Sequence, residues 1–251
     1  MKKLNKLLNL ILPFFSIGIM VIIWAVVAKI EDNTFIVPTV SQVVEEFFAL
    51  FLQKKFYRAL LFTLLRSLVA FSISFLSSAV LAYFASKSKV LEKLILPFIA
   101  TLRALPTIAI AWLLVFWTNS QIAPVVITLL VVMPTSYTHV KGALESVDRT
   151  TIEAGKVDGA NKLNLFFRIE LPQIAPDLCS ITGSGLALNI KLMVAAEVLG
   201  ATVKSIGTML NMANYSFEVA KTLALTVVVL ALGLIIEFIF NALSKKVGEW
   251  K

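Results

Sequence analysis

This chain is poor in the residues from which most chemistry is built. It has one cysteine, Cys179, and one histidine, His139, in 251 residues. A lone cysteine excludes an intramolecular disulfide and a thiolate metal cluster. Its place inside an apolar run reads as a small buried residue. One histidine and one cysteine supply neither a nucleophile with its base nor a metal ligand set, so no catalytic or metal residue is assigned. Charge is scarce as well: 15% of residues are charged, against about a quarter in soluble domains. No Gly-x-x-x-x-Gly-Lys-Ser/Thr run occurs, which removes that route to nucleotide binding. Between Ala104 and Val140 there is no Asp, Glu, Lys or Arg at all.

What is present is hydrocarbon. The chain is 59% hydrophobic with a mean hydropathy of +0.89, which places it in the membrane class. A soluble protein of this length could not hide so much apolar surface. The net charge of +8 does not indicate nucleic acid, because the cations are scattered over short loops rather than gathered on one face. A helix needs about 20 apolar residues to cross the hydrocarbon core. Runs at 7–28, 59–85, 94–117, 122–140, 174–199 and 222–243 meet that length, predicting six spans in a single transmembrane domain, 1–251. The charge-free run from Ala104 would measure about 55 Å as one helix, so it divides at the Thr118-Asn119-Ser120-Gln121 turn. Leu7 to Ala28 is too long for the apolar region of a signal peptide and is expected to stay as the first span.

Cations set the orientation. With both termini inside, fourteen of the 23 Lys and Arg fall on inner segments, among them Lys2, Lys3, Lys6 and Lys251. Six fall on outer segments. Excess positive charge marks the cytoplasmic side, so the termini and the long polar segment around Thr150 are expected there. The outer segment contains SQVVEEFFALF, apolar at Val43, Val44, Phe47, Phe48 and Phe51. That helical spacing predicts a short helix at the outer membrane face or a packed connection.

The polar island 145–172 holds the most structured signals. Thr150-x-x-Glu153 fits a capping box for a helix running to Val157. Gly159 can take positive φ and stop it. Asn161 can cap a second helix, Lys162 to Ile169, with Leu163, Phe166 and Phe167 on one face. Pro172 and Pro176 are expected to end that helix and lead into the fifth span. Two capped helices in a loop fit either a docking element or an amphipathic segment resting on the membrane surface.

EAGKVDGANKLNLFFRIELP, Glu153 to Pro172, resembles the cytoplasmic EAA loop of ABC-transporter permeases. Glu153, Ala154, Gly159, Ala160, Phe167, Ile169, Leu171 and Pro172 fall in register with that pattern. Gly155 departs from it, standing where the family has Ala, at a cost of up to about 1 kcal/mol in helix propensity. FIVPTVSQVVEEF, TLLRSLVAF, RALPTIAIAW and ITGSGLALNIKLMVAAEVLGA are similar to segments of the nitrate/sulfonate/taurine-type permeases. The resemblance implies an all-α membrane protein with the type I ABC importer permease fold. It implies that Glu153, Ala154, Gly155, Gly159, Ala160, Leu171 and Pro172 form a coupling helix for a cytoplasmic ABC ATPase present in two copies. That partner, not this chain, would bind ATP and Mg. A substrate-binding protein outside and a second copy of the permease complete the expected assembly.

Four charges fall within expected spans: Arg66, Arg103, Lys191 and Glu197. A charge in hydrocarbon faces protein or water rather than lipid. Arg66 and Arg103 are read as structural, pairing with a carboxylate or a helix end, and Glu197 is a candidate partner. Lys191 either pairs with Glu197 or lines the pathway and favours an anionic solute. A secondary transporter is the alternative class. It predicts internal repeats and midplane acids, and it gives the island no task.

Overall fold

The computed structural model describes residues 2–249, and for residues 2–11, 13 and 14 the backbone alone. Lys251 and the side chains of Lys2, Lys3 and Lys6, counted above among the inner cations, lie outside the described residues. Among the described residues the regular structure is entirely helical. The chain, expected as a single domain, divides into two compact units. One comprises 1–57 and 209–228, the other 58–208 and 229–251. The divisions fall inside helices rather than in linkers.

The smaller unit begins with α1, Lys2–Glu31, which carries the first expected span and stops before Asp32 at positive φ. α2, Val40–Phe51, is the short helix expected after it, and it carries a full capping box. Thr39 Oγ1 accepts from the Gln42 amide at 3.4 Å, and Gln42 Oε1 accepts from the Thr39 amide at 3.0 Å. The Trp24 indole N–H donates to the Pro38 carbonyl at 3.1 Å and holds the turn between α1 and α2. The buried positions of α2 are Val43 and Leu50, while Val44, Phe48 and Phe51 are exposed.

The larger unit is built on α3 (Lys54–Lys87), α4 (Lys89–Ala104), α5 (Thr107–Trp117), α6 (Ala123–Glu145), α7 (Arg149–Val157), α8 (Lys162–Leu165) and α9 (Leu171–Leu199). It also takes in the start of α10 (Ile206–Tyr215) and the end of α11 (Val219–Gly248). Among the described residues, four helical runs are long and apolar enough to cross a membrane: 54–87, 123–145, 162–199 and 219–248. The bent pair α4 and α5 makes a fifth when it is counted as one broken span.

That pair shows the span expected from 94 to 117 as two helices. The two helices meet at 91°. Pro106 lacks an N–H, and its ring forces Leu105 out of helical backbone, to φ −66° and ψ 126°. The fifth span is corrected in the opposite sense, because Pro172 and Pro176 end nothing. A π-helical turn, Phe166–Glu170, precedes α9, with the Leu171 amide reaching back five residues to the Phe166 carbonyl. This wider turn accommodates Pro172 near the start of α9, so 162–199 runs on as one apolar unit.

α6 is the most buried of the spanning helices and packs chiefly on α9. Small residues make close packing feasible: Ala82 and Ala85 of α3 meet Ile99 of α4 and Tyr137 and Val140 of α6. Ala111, Ala123, Ile127 and Ala196 join α5, α6 and α9. This frame holds the island at one end of α9 and a buried charge cluster at the other.

Candidate functional site

The island is built from two short helices on an anchored base. α7 is capped by Asp148, two residues before the expected Thr150 cap. Asp148 Oδ1 accepts from the Thr150 amide at 3.0 Å, and Oδ2 accepts from the hydroxyls of Thr150 and Thr151, both at 2.7 Å. Asp148 sits closer to the first free amides, so Thr150 becomes a donor to the cap instead of the cap. The Thr150 hydroxyl, then that of Thr151, holds the Asp148 carboxyl down at about 2. The Asp148 amide donates to Gln173 Oε1 at 3.1 Å, tying the start of α7 to α9.

α7 ends at Val157, and Gly159 follows at φ +80°, with open space around it. The strain there is one of backbone alone. Asn161 caps α8 through Oδ1, accepting from the Asn164 amide at 2.8 Å. A Cβ on Gly155 would lie 2.7 Å from Ile169 Cδ1 and 2.8 Å from Leu165 Cδ2. The glycine that departs from the Ala of the resembling pattern is therefore where α7 meets the following helix most closely.

The buried face of the second helix differs from the one read in sequence. Leu165 and Glu170 are buried, whereas Leu163 and Phe167 are exposed. The π-turn rotates the register between α8 and α9, which the regular spacing could not foresee. Glu170 Oε1 accepts from Lys87 Nζ at the end of α3, at 2.5 Å. Lys87 lies 5.5 Å over the Tyr83 ring, and Tyr83 meets Phe166 edge to face at 5.0 Å. Ala143, Val147 and Ile174, with Ile152 and Leu171 against them, close the apolar side. Of the expected coupling residues, Glu153, Ala154 and Gly159 are exposed, Gly155, Ala160 and Leu171 are half-buried, and Pro172 is exposed at the base. The island thus has an unpartnered outer face and an inner face fixed to α3, α6 and α9. Glu170, Lys87 and Tyr83 were missed in sequence, since nothing local links positions 83 residues apart.

At the other end of α9, Glu197 is fully buried. Arg66 Nη1 donates to its Oε1 at 3.0 Å, and the Thr63 hydroxyl donates to its Oε2 at 2.8 Å. The Gly207 amide donates to Oε2 at 3.3 Å. Arg66 Nη2 reaches Gln121 Oε1 at 2.5 Å and the Val203 carbonyl at 3.3 Å. Arg66 and Glu197 are thus a pair, and Glu197 does not snorkel. The alternative of a Lys191–Glu197 pair is overturned, because the Glu197 oxygens are taken by Arg66, Thr63 and Gly207. Arg103 Nη2 donates to the Pro134 carbonyl at 3.1 Å and to the Thr138 hydroxyl, holding α4 to α6. Lys191 is exposed on α9 in line with Ser184, Leu188 and Ala195. Its stem lies along α11 at Gly233, where a Cβ would come 3.3 Å from Lys191 Cε. Among the described residues no cluster of His, Cys, Asp and Glu could hold a metal ion.

The chain matches the family described as binding-protein-dependent transport system inner membrane component over residues 74–249. It is 23% identical to a probable ABC transporter permease protein of Haemophilus influenzae, over 92% of this chain and 94% of that protein. It is 22% identical to the taurine transport system permease protein TauC of Escherichia coli, over 94% of this chain and 88% of that protein. Among solved structures, an inward-facing conformation of the MetNI methionine ABC transporter is similar at a TM-score of 0.66 and 19% identity. The match covers 76% of this chain and 95% of that one, a likeness of fold.

Proposed function

The chain belongs to the family of binding-protein-dependent transport system inner membrane components, and from that premise we propose that it couples to its ATPase through the island between Arg149 and Pro172. It is an integral membrane protein, the permease subunit of an ABC importer, which leaves the secondary-transporter alternative without support. In our reading two cytoplasmic ABC ATPases each take one island. ATP and Mg are bound there and not in this chain. Two copies of the permease form the pathway, a substrate-binding protein delivers the solute from outside, and both termini and the island lie inside the inner membrane.

The observation that carries the reading is the two-faced island. Glu153, Ala154 and Val157 point outward without partners, while Gly155, Leu165, Glu170 and Leu171 fix the same unit to the spans. A push on the outer face must move α3 and α9 with it, which is what alternating access by rigid-body rocking requires. Arg66, Arg103 and Glu197 shape the bundle. Lys191, exposed at mid-span, faces water or protein rather than lipid, and it is assigned to the pathway as the contact for an anionic solute.

The experiment is transport in vesicles reconstituted with the ATPase and binding protein. Gly159→Asp must place an L side chain at φ +80°. It should lose coupled transport or release the ATPase on co-purification, while the chain still inserts. Lys191→Met should assemble with the ATPase but lower uptake on the order of tenfold, the scale of one charged contact. Full transport by Gly159→Asp would overturn the coupling role, and unchanged uptake by Lys191→Met would remove that residue from the pathway.

A further inference from the structure

A cavity of about 550 Å³ opens beside the base of the island, lined by Thr151, Arg168, Ile169, Pro172, Lys246 and Val247, among others. Its walls come from the first turn of α7, the π-turn, the start of α9 and the last turns of α11. The Ser244 hydroxyl donates to the Pro176 carbonyl at 2.7 Å, fixing the end of α11 against α9 so that the cavity has a defined wall. The volume lies within the roughly 300–1,000 Å³ of small-molecule pockets. Two cations, Arg168 and Lys246, reach it, no acid lines it, and most of the remaining lining is apolar. Neither the solute path nor the outer face of the island accounts for it.

We propose that this cavity binds the phosphodiester headgroup of an anionic phospholipid. An arginine fork and a lysine point charge suit a phosphodiester carrying one delocalised negative charge. The apolar wall at Ile169, Pro172 and Val247 suits the glycerol and the first acyl carbons, which a soluble anion does not possess. The location fits the same occupant. The cavity lies where two membrane-crossing helices, α9 and α11, end beside the island, at headgroup level. Anionic lipids concentrate in the cytoplasmic leaflet. The proposal rests on the island being the cytoplasmic side of the permease.

The test uses the full chain with its ATPase in neutral detergent, stripped of lipid and then mixed with phosphatidylglycerol or phosphatidylcholine. Bound lipid is counted by native mass spectrometry. Phosphatidylglycerol should be retained near one per permease chain, and phosphatidylcholine on the order of tenfold less. Arg168→Gln with Lys246→Gln should reduce phosphatidylglycerol retention to the phosphatidylcholine level. Lys245→Gln, an exposed neighbour outside the cavity lining, should leave it unchanged. Equal retention of both lipids, or an equal loss in Lys245→Gln, would overturn the site in favour of general surface charge. Displacement of the lipid by millimolar inorganic phosphate would overturn the lipid in favour of a free anion. Co-purification of the ATPase is followed in the same samples, so failure of lipid binding is distinguished from failure of the coupling reading.

Discussion

Glu197 has no exposed surface, yet its side-chain bonds all lead to helices other than its own. Thr63 and Arg66 belong to α3, and Gly207 to α10. Two charges in an apolar bundle are costly to desolvate, and the pair is tolerable because both carboxylate oxygens and both terminal guanidinium nitrogens find partners. Removing one partner strands the other, with a penalty of about 3–5 kcal/mol for a buried pair. Glu197→Met should therefore lower the aggregation temperature of the purified protein sharply. Arg66→Met added to it should recover part of the loss, because no unpaired cation then remains. A single variant that melts like the parent would show that the cluster contributes nothing to stability. Gly207 belongs to the same argument: a Cβ there would lie 2.5 Å from Glu197 Cβ and 2.6 Å from the Val198 amide. The helix carrying Glu197 and the turn after it pack backbone against side chain without slack.

At the scale of elements, the Lys87–Glu170 pair joins the π-turn to α3, and in the proposed coupling it is one link between island and membrane. Glu170 is buried while Lys87 is partly open, so the 2.5 Å pair combines a desolvated acid with a lysine that also rests on Tyr83. Glu170→Gln keeps the size and loses the charge. It should lower transport per ATP hydrolysed on the order of tenfold, the scale of residue-level coupling energies, while ATPase binding persists. The exchange Lys87→Glu with Glu170→Lys should restore part of the coupling. No recovery in the exchange, together with full coupling in Glu170→Gln, would remove the pair from the load path. Much of this region was legible locally: the end of α7, the positive φ of Gly159, the Asn161 cap and the start of α8. What was not legible depended on competition or distance. Asp148 and Thr150 both favour helix caps, and only the backbone decides between them. Pro106 removes a helix hydrogen bond, but nothing local specifies a bend of 91°. Pro172 reads as a terminator until a π-turn relieves it, and the Glu170–Lys87 pair joins residues that no spacing rule connects.

At the scale of the larger unit, the chain is polar in two senses. One end of α9 carries the exposed island and the open cations Arg168 and Lys162, together with the bridge from Lys141 to Glu92 and Glu145 at 2.8 and 2.7 Å. The other end carries Arg66 and Glu197 turned inward, beside the tight 200–205 turn with Ala201 and Lys204 at positive φ. The exposed cations at the island end, Arg168, Lys162 and Lys245, suit the leaflet that is rich in anionic lipid. The orientation proposed above can be measured directly. Replacing Cys179 with Ala leaves no native thiol, and Lys204→Cys or Lys245→Cys then places one at an exposed position near each end. Lys204 already occupies left-handed backbone, so the substitution adds no new class of strain. A membrane-impermeant maleimide should label Lys204→Cys in intact cells, and Lys245→Cys only after permeabilisation. The reverse pattern would place the island outside, away from any source of ATP. The coupling role and the headgroup assignment would then fall together.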